Sequence, residues 1–86
     1  MHKIQLPEDY ALVLQQVEES GSEDFSILAE SLRIDRPRLS HILKALQHKG
    51  LIVMHAAGED FRIRLSAKGR QLTAYIWPQQ GWSGAV

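Results

Sequence analysis

Cysteine is absent from this 86-residue chain, which excludes disulfides, thiolate metal sites and a cysteine nucleophile together. Long apolar runs are missing too. None approaches the roughly 18 residues needed to cross a bilayer. The opening MHKIQLPEDY lacks the apolar centre of a signal peptide, so a cytoplasmic location is the default expectation. No glycine-rich phosphate loop is present, and no serine set on a nucleophile elbow. Ser40, His41 and Asp35 could be written as a triad, but adjacent residues on a helix point about 100° apart, so Ser40 and His41 diverge. The four histidines contain no H-x-x-x-H pair. His41 and His48 would stand about 10 Å apart along a helix, too far for one metal ion. The sequence therefore predicts no enzyme, no metal and no cofactor.

Net charge is also lacking, at a formal value of zero, yet the charges are segregated. Residues 1–32 set Lys3 against Glu8, Asp9, Glu18, Glu19, Glu23, Asp24 and Glu30, a net of −6. Residues 33–55 set Arg33, Arg36, Arg38, Lys44 and Lys49 against Asp35, a net of +4. Residues 56–86 set Arg62, Arg64, Lys68 and Arg70 against Glu59 and Asp60, a net of +2. Such asymmetry points to a polyanion held by one face while the other stays acidic. The plain alternative is an ordinary domain whose charges cluster. At this length one small core is expected.

What is present is helical periodicity followed by strand alternation. Pro7, Glu8 and Asp9 suit a first helical turn, and a helix from about Glu8 to Glu19 would bury Tyr10, Val13, Leu14 and Val17, with Leu12 extending that face. Gly21 would end it with a left-handed residue. A short helix from about Ser26 to Leu32 turns Phe25, Leu28 and Leu32 inward, with Ser22, Asp24 and Ser26 as candidate caps. Arg33-Ile34-Asp35 is the turn, Ile34 its apolar plug and Asp35 the cap of the next helix. That helix, about Arg36 to Lys49, has Leu39, Ile42, Leu43 and Leu46 on one stripe. Its other face carries Arg36, Arg38, Ser40, His41, Lys44, Gln47 and His48, with no carboxylate. Lys49-Gly50 closes it. Leu51 to His55 reads as a strand, Ala56 to Glu59 as a turn, and Asp60 to Leu65 as a second strand with Phe61, Ile63 and Leu65 inward and Arg62 and Arg64 outward. Ser66 can cap a last helix running to about Trp77, with Leu72, Tyr75 and Ile76 inward.

This order predicts a mainly α fold with a small β-hairpin, class α+β. It is a winged helix-turn-helix with a three-helix core, a two-stranded wing and a C-terminal helix over residues 1–77. Residues 78–86 are expected to form a flexible tail. In such a fold the helix after the turn enters the major groove of double-stranded DNA. Arg36, Pro37, Arg38, Ser40, His41, Lys44 and Lys49 are the candidate DNA contacts on and after that helix, with Arg62 and Arg64 on the wing (about Leu51 to Leu65). Arginine can bond guanine O6 and N7 together, and lysine suits phosphate. The bland reading makes these a solvated face, and pairs the wing arginines with the acidic first third.

Four stretches resemble the MarR family of winged-helix transcription regulators. Leu28-Ala29-Glu30-Ser31-Leu32 is similar to the family's LAerL. Arg36 to Leu43 is similar to its recognition helix, and Leu46 to Ile52 to its LeekGLI junction. Leu65-Ser66-Ala67-Lys68-Gly69-Arg70 is similar to its LTxkGr. The resemblance implies a sequence-specific DNA-binding regulator. It also implies that Asp60-Phe61-Arg62 is the family's wing Asp-x-Arg, with Arg62 reaching the minor groove and Asp60 orienting it. The chain departs from the family in length: nine residues follow Trp77, so the expectation is that the long helices through which members dimerise are missing or replaced. The wing tip also has no cation.

Tyr75, Trp77 and Trp82, with Ile4 and Leu6, are apolar surface that a homodimer through the terminal helices and Trp77/Trp82 would cover. Two-fold symmetry would match a palindromic DNA site. The competing reading is a winged-helix module for protein–protein contact, favoured by the acidic first third. The test between them is whether carboxylates of residues 8–30 fold back onto the third helix.

Overall fold

The computed structural model describes residues 7–76. The elements in chain order are α1 (Glu8–Ser20), β1 (Ser22–Asp24), α2 (Phe25–Leu32), α3 (Arg36–His48), β2 (Ile52–Ala57), β3 (Asp60–Leu65) and α4 (Ala67–Ile76). The expectations for Ile4, Leu6, Trp77, Trp82 and the tail 78–86 lie outside the described residues.

The apolar stripes meet as their spacing dictates. Val13, Leu14 and Val17 of α1, Leu28 of α2 and Leu39, Ile42, Leu43 and Leu46 of α3 are fully buried or nearly so. Leu51, Ile52, Ile63 and Leu65 close the core from the sheet side. Each such side chain contributes about 1.5–3 kcal/mol by leaving water. Phe25, Leu32 and Ile34 pack against this core while partly exposed, so Ile34 plugs the turn as expected.

The turns have specific backbone causes. Arg33 adopts a left-handed conformation (φ 57°, ψ 44°), and the amide of Ile34 donates to Ala29 O at 3.1 Å. This cap ends α2 and redirects the chain within two residues. At the other end of α3, Gly50 has φ +77° and Leu51 N donates to Leu46 O at 3.0 Å. Gly21 also has positive φ, with its amide on Val17 O. Asp35 stands at the N-cap position of α3, but its side chain makes no capping hydrogen bond.

Among the described residues the sheet has three strands, not two. Its order is β1-β3-β2, all antiparallel, with β3 in the centre. Ser22, Glu23 and Asp24 pair with Arg64, Ile63 and Arg62. Three polar residues give no apolar alternation, and two of them serve equally well as helix caps, so this strand had no signal of its own. It exists because β3 offers it an open edge.

Four further expectations are corrected. The hairpin turn is only Gly58-Glu59, because β2 continues to Ala57, which pairs with Asp60. Gly58 supplies the positive φ, +66°, that so tight a turn needs. Phe61 is not buried with Ile63 and Leu65 but is 50% exposed, since near the tip it borders an open groove between α3 and the wing instead of the closed core. Tyr75 is 64% exposed. The face of α4 that meets the core is set by buried Gly69 and Thr73, which turns Tyr75 outward. Leu12 is likewise largely exposed on α1.

Candidate nucleic-acid interface

α3 is held by its buried stripe, and that stripe fixes what the helix shows to solvent. At about 100° per residue, Pro37, His41, Lys44 and His48 fall on the line directly opposite the core. All four are exposed. No acidic residue stands within the first turn of α3 itself, although Asp35 occupies the N-cap position just before it. His41, Lys44, Ala45, His48 and Lys49 form one shallow, open surface. Among the described residues His41, Lys44, His48 and Lys49 make no ion pair.

The arginines of α3 lie on its flanks. Arg36 leans towards α2, its guanidinium 5.1 Å from the centroid of the Phe25 ring. Together with Ser40, Lys44, Met54, Glu59 and Phe61 it borders a groove of about 220 Å³ between α3 and the wing. Arg38 lies on the opposite flank, towards α1. Its Nε and Nη2 donate to Asp9 Oδ2 at 2.9 and 2.6 Å, and its guanidinium stands 5.9 Å from the Tyr10 ring centroid. The Arg38 hydrogen bond holds the Asp9 carboxyl below the usual carboxylate range. The third helix is therefore acid-free in sequence but not in space.

The wing departs from what the resemblance implied. Arg62 Nε donates to Asp24 Oδ1 of β1 at 3.1 Å, so Asp24 and not Asp60 orients it. Asp60 instead fastens the hairpin tip. It accepts the Ser26 hydroxyl and, through Oδ1, the Phe61 amide at 2.7 Å. These bonds lower its pKa, the Ser26 bond first and the Phe61 amide second, with Arg36 adding a smaller attraction. Arg64 does not join the others. It borders a second cleft with Val17, Glu18, Arg70 and Thr73, lined by no residue of α3.

Behind the interface the wing is anchored to α3. Ser66 Oγ donates to Gly50 O at 2.6 Å and accepts the Gly69 amide at 2.9 Å, capping α4 as expected. A β-carbon on Gly69 would lie 2.0 Å from Leu51 O, so only glycine lets α4 approach this junction. Sequence reasoning placed Gly69 only in a motif; its role depends on a backbone contact 18 residues away.

No family model matches the chain, and no curated protein matches it in sequence. Solved structures do. AbsC, a MarR-family transcriptional regulator from Streptomyces coelicolor, superposes with a TM-score of 0.79 over 86% of this chain at 19% identity. The fold is the MarR-type winged helix. The reduced form of MarR from E. coli gives a TM-score of 0.73 over 87% of this chain at 17% identity. The reduced form of the regulator YodB from B. subtilis gives 0.70 over 86% at 20% identity. This chain spans 53% of AbsC, 60% of MarR and 76% of YodB. Within the MarR-type winged helix, α2 and α3 are the helix-turn-helix and β2–β3 the wing. Among the described residues no group of three His, Cys, Asp or Glu gathers as a metal site. No described helix is long and apolar enough to cross a membrane.

Proposed function

We propose that this chain binds double-stranded DNA sequence-specifically as a small transcription regulator, with α3 in the major groove and the wing on the backbone or in the minor groove. The observation that carries this reading is the exposed line Pro37, His41, Lys44 and His48. Among the described residues it makes no ion pair, and it ends beside Lys49. Pro37, Ser40 and His41 would meet base edges or the sugar–phosphate chain near the helix start. Arg36 and Arg38 would reach outward from the flanks. Lys44 and Lys49 would neutralise phosphates, and Arg62 would enter the minor groove. Arg64 faces the cleft beside α1 and α4 and is left out of the interface.

The similar structures support a regulator, and one of them, BpsR of Bordetella bronchiseptica, is described by the control of its DNA binding by 6-hydroxynicotinic acid. We further propose that the chain acts as a homodimer on a two-fold DNA site, in the cytoplasm. The protein-contact reading gains one observation, since Asp9 and Asp24 do fold back onto Arg38 and Arg62. The central line of α3 nevertheless stays free of carboxylates, which favours DNA.

The test is a fluorescence-anisotropy titration of labelled duplex at several salt concentrations. Log affinity should fall linearly with log salt, with a slope of about 0.9 per phosphate neutralised. Lys49→Ala should weaken binding to every duplex alike and reduce that slope by about 1. Binding independent of salt, or absent at 50 mM salt for wild type and charge variants alike, overturns the proposal.

A further inference from the structure

Two arginines on two different DNA-facing elements are each held by a carboxylate from the acidic first third of the chain. Arg38 of α3 is tied to Asp9 across 29 residues of sequence, and Arg62 of the wing to Asp24 across 38. In both pairs a single carboxylate oxygen takes the guanidinium, Oδ2 of Asp9 and Oδ1 of Asp24. Both are at the surface: the side chains are 46% and 30% exposed in the first pair, 52% and 31% in the second. Neither pair secures the core, which is apolar and complete without them.

From this geometry we infer that Asp9 and Asp24 are internal competitors for DNA, standing where backbone phosphates would stand and holding Arg38 and Arg62 back from non-specific duplex. The inference rests on the DNA-binding reading above. A carboxylate oxygen and a phosphate oxygen offer a guanidinium the same charge-assisted bond. Exchanging one for the other therefore yields little, and the released carboxylate must take up a cation from solution. Arg38 and Arg62 then add almost nothing to the salt dependence, although each ends on DNA. A guanine edge, which takes both ends of an arginine fork, is a better partner than one carboxylate oxygen. The competition thus weakens binding to arbitrary sequence more than binding to a matching site. It also accounts for a nearly neutral chain carrying a DNA-reading helix, since the acidic charge is placed against two particular cations.

The experiment uses Asp9→Asn, Asp24→Asn and the double variant, titrated against a random duplex at four salt concentrations. Glu8→Gln is the control. It removes the same charge one residue away, from a side chain that makes no ion pair among the described residues. Surface pairs of this kind hold their partners only weakly, so each Asn variant should bind random duplex about three-fold more tightly, and the double variant about ten-fold. The log–log salt slope should steepen by about 0.9 for each arginine released. Glu8→Gln should raise affinity slightly without that change of slope, and Asp9→Glu should restore wild-type behaviour. Binding by the double variant where wild type binds too weakly to measure would support the inference strongly. Binding by wild type with Asp9→Asn and Glu8→Gln indistinguishable overturns the inference and leaves the DNA reading intact. No binding by any of the proteins overturns both.

Discussion

The two ends of the wing hairpin differ more than their sequences do. At the base, Leu65 is buried beside Leu51 and Ile52, Ser66 joins two backbone groups, and Gly69 lets α4 press on Leu51. At the tip, Phe61 is half exposed, and the hairpin is fastened by Asp60 through one hydroxyl and one amide. The same face of the same strand thus runs from core to solvent within four residues. The base ties the wing to the end of α3 and to α4, while the tip is tied to α2 through Ser26 and leaves Phe61 half exposed.

Substitutions can break or sharpen this contrast. Leu65→Ala should cost about 3 kcal/mol, the usual range for a buried leucine, and lower the melting temperature by about 15 °C in a domain of this size. Gly69→Ala should be nearly as severe. Alanine adds about 1 kcal/mol of helix propensity over glycine, but displacing the Leu51 carbonyl should leave a net loss of about 2 kcal/mol. Ser66→Ala should cost about 1.5 kcal/mol in chemical denaturation, removing an N-cap and the bond to Gly50. Phe61→Ala should cost less than about 1 kcal/mol, because half of that side chain is already wet. If Phe61→Ala equals Leu65→Ala, the distinction between base and tip is wrong. The smallest effect concerns acid. The Asp60 carboxyl, held low by Ser26 and the Phe61 amide, makes a contribution to stability that is present above the ordinary carboxylate range and is lost as pH falls through its lowered pKa. An NMR titration should find Asp60 protonating below the ordinary aspartate range in wild type, and closer to that range in Ser26→Ala.

The same contrast explains what the sequence made legible. The α3 stripe, its glycine exit and the Ser66 cap are local patterns, and each appears where its spacing placed it. Phe61 continued the alternation of Ile63 and Leu65, but alternation reports which side of a strand a residue faces, not whether anything covers that side. Ser22 to Asp24 became a strand only because β3 was available, and Asp24 became a partner of Arg62 only through that pairing. Arg38 looked like a free cation because its counter-ion lies 29 residues earlier on α1. The site's residue types were therefore readable, while the ion pairs that tune two of them depend on how distant elements cross.

The most direct test of the account is a duplex titration followed by amide chemical shifts. Binding through α3 and the wing should move the amides of Arg38 to Lys49 and of Ala57 to Phe61 most, and leave Val17 to Gly21 and Arg70 to Ala74 nearly unmoved. Shifts concentrated instead on that α1–α4 side, with α3 silent, would contradict it.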